Sequence, residues 1–166
     1  MTFADLATGD AVFLDANTIV YDFGPHPTFG PACKSLLNRI ENGDFVGFIS
    51  APVFNDVAHR LMTLEACQTL GWPYPGIAQR LRRHSAEIQK LTKSRQALDE
   101  ILRIGIQVLP VDSQQVLAGA DLCRQYGLLS GDGLILAVMH RHGLSRIASN
   151  DADFDTVPGI TRYAPV

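Results

Sequence analysis

Four aspartates, Asp15, Asp56, Asp132 and Asp151, each fall where an apolar run ends or a helical pattern begins, and Asp153 follows the last by two residues. Asp15 closes the apolar run in "VFLDANTIVYDF" and is followed by Asn17. An unpaired carboxylate out of water is costly, so a buried strand sheds charge before it ends. Asp15 therefore either closes an Asx turn or holds something positive. Taken singly, the other acids also have ordinary readings. Asp56 can pair with His59 or Arg60 on one helix face, Asp132 suits a helix dipole, and Asp155 in "SNDADFD" reads as a solvated loop carboxylate. Taken together, four acids at one edge of a sheet would repel unless protons or cations neutralise them. Hard divalent ions such as Mg²⁺ or Mn²⁺ take oxygen ligands, and two of them about 4 Å apart activate a water and stabilise the leaving oxygen of a phosphodiester. That is nuclease chemistry.

The elements that would position these acids are legible as patterns. Short apolar runs at 11–14, 45–50, 106–111 and 146–149, with an edge strand near 160–164, alternate with helical periodicity. That alternation predicts a parallel sheet whose strands are buried on both faces. "PACKSLLNRIENG" places Leu36, Leu37 and Ile40 on one face and stops at Gly43. A second helix starts from a cap at Ser50 and carries Val53, Val57, Leu61 and Leu64; a third is capped by Ser113 and stopped by Gly127; a fourth runs from Ser130 to Gly143. In such a fold every one of the four acids lies at the carboxyl edge of the sheet, where ligand crevices form, above all where the winding reverses. "GWPYPG" (71–76) breaks the pattern. From Ile77 to about Arg103 only helix is indicated, with Ile77, Leu81, Ile88 and Leu91 on one stripe. Arg80, Arg82, Arg83, Lys90, Lys93 and Arg95 lie mostly off that stripe; with Arg103 they make seven of the chain's 14 Lys and Arg residues.

A chain of 166 residues, 46% of them hydrophobic, suits a single domain, 1–166, with a sizeable core and a helical insertion at about 71–97. A formal charge of −3 argues against coating nucleic acid by charge alone. Cys33, Cys67 and Cys123 show no metal or disulfide spacing and read as reduced core thiols. The acidic opening and the lack of a spanning apolar run predict a cytoplasmic protein with no membrane contact.

These motifs resemble the PIN-domain ribonucleases, and among them the VapC-type toxins of toxin–antitoxin pairs. "FLDANTIVY" looks like the family's opening strand with its first acid, giving Asp15 that role and Asn17 the small polar position. "ISAPVFNDVAHRL" is similar to the segment in which a serine precedes the second acid by six residues; Asp56 stands there, where the family more often has the longer Glu. "SGDGLILAVMHRHG" resembles the aspartate-led helix, giving Asp132, and "IASNDADF" the closing segment, giving Asp151, auxiliary Asp153 and the hydroxyl of Ser149. Gly133 replaces the usual Ala and predicts a helix start looser by up to about 1 kcal/mol.

The resemblance implies a three-layer α/β/α sandwich around a five-stranded parallel sheet. It also implies an Mg²⁺- or Mn²⁺-dependent endoribonuclease acting on structured RNA such as tRNA or rRNA, with activated water as nucleophile. An antitoxin partner and a homodimer are expected with it. Arg60, Arg80, Arg82, Arg83, Lys90 and Lys93 are the candidates for drawing RNA to an acidic site, while His59, His84, His140 and His142 read as helix-surface residues. Two other classes stay open. One is a catalytically silent PIN-like module that binds RNA or protein. The other is a phosphatase with Asp15 as covalent nucleophile, in which Asn17 would occupy the place of the proton donor.

Overall fold

All five expected strands form, and they pair in one parallel sheet. The computed structural model describes residues 1–166, with β1 (Ala11–Leu14), β2 (Val46–Ser50), β3 (Gln107–Leu109), β4 (Arg146–Ala148) and β5 (Thr161–Tyr163) in the order β3-β2-β1-β4-β5. β1 is central: Phe13 registers with Phe48 on one side and Ile147 on the other. Its Val12, Phe13 and Leu14 are fully buried, which is why this strand reads as an unbroken apolar run rather than an alternating one. The chain steps outward from β1 to β2 to β3, then returns to place β4 on the opposite flank of β1. The winding therefore reverses between β1 and β4.

The helices are α1 (Ala16–Phe23), α2 (Gly30–Glu41), α3 (Ala51–Leu70), α4 (Ile77–Arg83), α5 (Ser85–Ile88), α6 (Lys93–Arg103), α7 (Ser113–Tyr126) and α8 (Ser130–Arg141). α1 packs on α2 and α3, and α3 on α6, while α7 and α8 pack on each other. Right-handed crossovers put the first group on one face of the sheet and the α7–α8 pair on the other, completing three layers. One contiguous apolar cluster includes residues of all five strands together with Ile19, Leu36, Val57, Ile101 and Leu136 from both helical layers. No helix is long and apolar enough to cross a membrane.

Helix boundaries differ from expectation in two places. Asp112, not Ser113, caps α7: its carboxylate accepts from the Gln115 N–H at 2.9 Å while the Gln115 side chain accepts from the Asp112 N–H at 3.0 Å. The pair forms a capping box one residue upstream of the expected cap. The stretch 77–103 is three helices rather than one. Ile77 and Leu81 bury against Ala66 of α3, with Ile88 and Leu91 packed around them, so the apolar stripe is real but serves a satellite cluster. α6 is then anchored separately by Glu65 of α3. Its carboxylate accepts from the backbone N–H groups of Thr92, Lys93 and Ser94 at 2.8–2.9 Å.

Gly133 has a packing role beyond its helix propensity. A Cβ there would lie 2.5 Å from the Gly119 carbonyl oxygen and run into Cys123 Sγ. The missing side chain is what lets α7 approach α8 so closely, and the contact fixes the helix turn that carries Asp132. The cysteines are free, but only Cys33 is buried; Cys67 and Cys123 are half-buried. Burial, with Asp22 adding to it, pushes the Cys33 thiol up to about 12 and keeps it unreactive.

Candidate active site

The acids gather at the carboxyl edge of the sheet, around the winding reversal between β1 and β4. Asp15 follows β1 directly and stands at the N-cap position of α1, yet its side chain makes no capping bond. Its Oδ2 instead accepts from Ser149 Oγ at 2.9 Å and from Asn17 Nδ2 at 3.3 Å. The Asx-turn alternative thus gives way to a carboxylate held by Ser149, just beyond β4, and by Asn17 of its own α1. Asp15 N–H bonds the Ala148 carbonyl at 3.0 Å, and the buried Thr18 hydroxyl donates to the same oxygen at 2.8 Å. The start of α1 is thereby tied to the end of β4.

Ser149 is fully buried and bonded on both sides, since its Oγ also accepts from the Asp151 N–H at 3.0 Å. Asp151 in turn caps the short 3-10 turn Ala152–Thr156, its Oδ1 accepting from the Asp153 N–H at 3.0 Å. Behind this loop, Arg162 of β5 donates to the Ser149 carbonyl at 3.2 Å and forms a two-bond pair with Asp155 at 2.6 and 2.9 Å. Asp155 is therefore the loop carboxylate expected. The brace that Arg162 and Thr18 supply was invisible in sequence, because both donate to backbone carbonyls that lie far along the chain.

Asp132, Asp151 and Asp153 each offer one carboxylate oxygen, and the three oxygens lie within 4.8 Å of one another. Burial and then the charges of Asp151, Asp15 and Asp153 push the Asp132 carboxyl up to about 6. Burial likewise raises Asp15, against the hydrogen bonds from Ser149, the Ala16 N–H and Asn17 and the charge of Arg60. Carboxylates crowded enough to favour taking up a proton are a fitting set for a hard cation, and oxygen is the only donor type they offer. Asp15, Asp56 and Asp132 also line one cleft of about 190 Å³, together with Ser50 and Pro52. Ser50 Oγ accepts from the Val53 N–H at 3.4 Å, so its expected capping role is met. Asp56 stands apart from the three-carboxylate cluster. It is 54% exposed and pairs with Arg60, one turn on, at 3.9 Å.

The six basic candidates scatter. Arg60 adjoins the acids. Arg80 stacks over Trp72 at 5.7 Å, Lys90 pairs with Glu87 at 2.8 Å, and Arg82 and Arg83 are exposed without ion pairs. Lys93 borders a larger cleft of about 360 Å³ with Phe23, Leu61, Glu65 and Ala97, away from the aspartates. His59, His84, His140 and His142 are exposed on helices or their ends, as expected.

The PIN domain family model matches residues 12–160. Ribonuclease VapC13 of Mycobacterium tuberculosis is 33% identical over 155 residues, covering 92% of this chain and 99% of the relative. Ribonuclease VapC2 of Methanocaldococcus jannaschii is 26% identical, covering 88% of each chain. Among solved structures, VapBC2 from Rickettsia felis, bound to a DNA fragment from its promoter, aligns with a TM-score of 0.55 at 16% identity, over 93% of this chain and 98% of that one. A toxin–antitoxin complex from Klebsiella pneumoniae aligns at 0.53 and 17%, over 90% and 95%. With the strand order, the acid-bearing sheet edge and these matches in agreement, the chain belongs to the PIN-domain family.

Proposed function

We propose that this protein is a divalent-metal-dependent endoribonuclease and the toxin of a toxin–antitoxin pair, acting on structured RNA such as a tRNA or rRNA loop. The observation that carries the reading is the carboxylate crowding around Asp132, whose oxygens lie within 4.8 Å of those of Asp151 and Asp153 at the switch point of a PIN-family sheet. Asp15, Asp56, Asp132 and Asp151 are assigned as the acids that hold Mg²⁺ or Mn²⁺, with Asp153 assisting. When bound, such an ion supplies charge neutralisation at the scissile phosphate and lowers the pKa of water toward neutrality.

The chain's own groups do the rest. Ser149 and Asn17 fix the Asp15 carboxylate by donating to Oδ2. A cation held there would favour the ionised form of Asp132, offsetting the burial and the neighbouring carboxylate charges that raise it. Arg60 supplies positive charge beside Asp56 toward which a phosphate backbone is drawn. Side-chain nucleophiles are spoken for: the Ser149 and Ser50 hydroxyls are buried and engaged. Water is left as the attacking group. Asn17 offers an amide where a phosphatase would need an acid, which favours the nuclease over that alternative.

One solved structure that shares this fold is a toxin–antitoxin complex, which supports an antitoxin partner here. A homodimer is proposed with it, and the exposed Val116 and Leu117 of α7 are apolar surface that such pairing would cover. The test is incubation of structured RNA with the purified protein in Mg²⁺ or Mn²⁺, beside a chelator and an Asp15→Ala variant. Discrete fragments that disappear in both controls support the reading; intact RNA with folded, metal-loaded protein overturns it in favour of a silent binding module.

A further inference from the structure

A second cleft, of about 190 Å³, lies between α1, α3 and the loop before α4, and is bounded by Tyr21, His26, Arg60, Leu64 and Tyr74. We propose that it is a nucleobase subsite, which receives one unstacked base of the RNA strand whose phosphates run past the aspartates. The inference rests on the ribonuclease reading above.

Three observations carry it. First, the cleft is joined to the acids by one residue: Arg60 lines it and has its guanidinium 3.9 Å from the carboxylate of Asp56, which lines the acidic cleft. α1 makes the same connection, since it begins at Asp15 and reaches Tyr21 about 9 Å further along its axis. A strand with a phosphate at the acids therefore carries a neighbouring base to this cleft.

Second, its walls are built for a flat ring with a polar edge. Tyr21, His26 and Phe29 pack on one another with ring centroids 4.6–5.2 Å apart. The His26 ring is fixed by its Nδ1, which accepts from the Thr28 and Phe29 N–H groups at 3.3 and 3.2 Å. That leaves Nε2 as a donor, in a cleft that Tyr21 and Arg60 also line, to read a base edge. Single-stranded RNA is recognised through such stacking and edge contacts.

Third, Tyr74 is 58% exposed on the proline- and glycine-bounded loop, whereas its neighbour Trp72 is packed with the satellite cluster and against His84. At the rim of the cleft, that exposed ring offers a stacking platform for an incoming base.

The test compares two short oligoribonucleotides of equal length in chelator, one intact and one with a single abasic position scanned along it, so that phosphate repulsion by the aspartates is the same for both. Wild-type protein is expected to bind the intact strand more tightly than one particular abasic strand. Tyr74→Ala should remove that preference, at a cost of roughly 5- to 100-fold in affinity for the intact strand, while Tyr74→Phe should retain it. Equal binding of intact and abasic strands, as expected if the cleft seats a side chain of a protein partner, would overturn the proposal, as would a preference untouched by Tyr74→Ala. Cleavage in Mn²⁺ is scored separately. Base preference without cleavage sinks the nuclease reading alone, and cleavage without base preference sinks the subsite alone.

Discussion

At the scale of single residues, the site is a balance between burial and charge. Asp132 has its carboxyl raised from 3.8 to about 6, so between these values the folded protein holds more protons than the unfolded one. Stability contributed by this group in metal-free protein is therefore greatest below about pH 4, falls as pH rises toward 6, and stays low above it. Asp132→Asn removes the dependence. Chelator-treated variant should gain thermal midpoint over wild type at pH 7.5 and lose that advantage at pH 4, as followed by differential scanning calorimetry. Ser149 has a separate role, because its hydroxyl reaches Asp15 and receives the Asp151 N–H. Ser149→Ala should weaken Mn²⁺ binding roughly 10- to 100-fold, measured by calorimetric titration, while leaving the far-ultraviolet circular dichroism unchanged.

At the scale of elements, two contacts set the positions of the helices that bear and surround the acids. Gly133 admits α7 against α8. Gly133→Ala gains about 1 kcal/mol in helix propensity but overpacks against Cys123 and the Gly119 carbonyl at roughly 1–3 kcal/mol. Urea denaturation should show a net loss of stability, with metal affinity lowered alongside because Asp132 is the adjacent residue. Glu65 anchors α6 by accepting three backbone N–H bonds. Burial works against its charge, but those donors hold the carboxyl below the usual range. Its stabilising contribution is present above about pH 4.5 and is lost as pH falls through the folded value, opposite in sign to Asp132. Glu65→Ala should cost about 2 kcal/mol, in line with the loss of a helix cap, and speed hydrogen exchange in 92–103 ahead of the sheet.

The same scale explains what could be read in advance. The strands were legible because β1 and its neighbours are buried on both faces and carry continuous apolar runs, and Gly43 and Gly127 marked helix ends by their positive φ. Asp15, Asp132 and Asp151 were legible because each follows a strand or lies in the first turn of a helix, whereas Asp56 sits a turn further into α3. Asp112 was missed as a cap because Ser113 satisfies the same rule one residue later, and α1 because its eight residues directly follow β1 in one apolar stretch. The meaning of Gly133 required knowing where α7 lies. Likewise Arg162, Thr18 and the Tyr21–His26–Phe29 group act through contacts that no local spacing announces.

At the scale of the molecule, fold and site are one arrangement. The sheet reverses its winding between β1 and β4, and the reversal sets the Asp15 and Asp151 segments side by side with α8 leading Asp132 toward them. Repulsion among these acids is a standing cost of the metal-free protein, so a cation should stabilise the whole chain. At a hundredfold excess over its dissociation constant, a bound ion adds about 2.7 kcal/mol, or roughly 5–10 °C in thermal midpoint for a chain of this size. The measurement that tests the central claim most directly is Mn²⁺ binding by the intact protein, followed by electron paramagnetic resonance at neutral pH, beside Asp132→Asn. The account predicts saturable binding that the substitution abolishes or weakens by at least tenfold. Binding of equal strength in both proteins, or none in folded wild type, would contradict it.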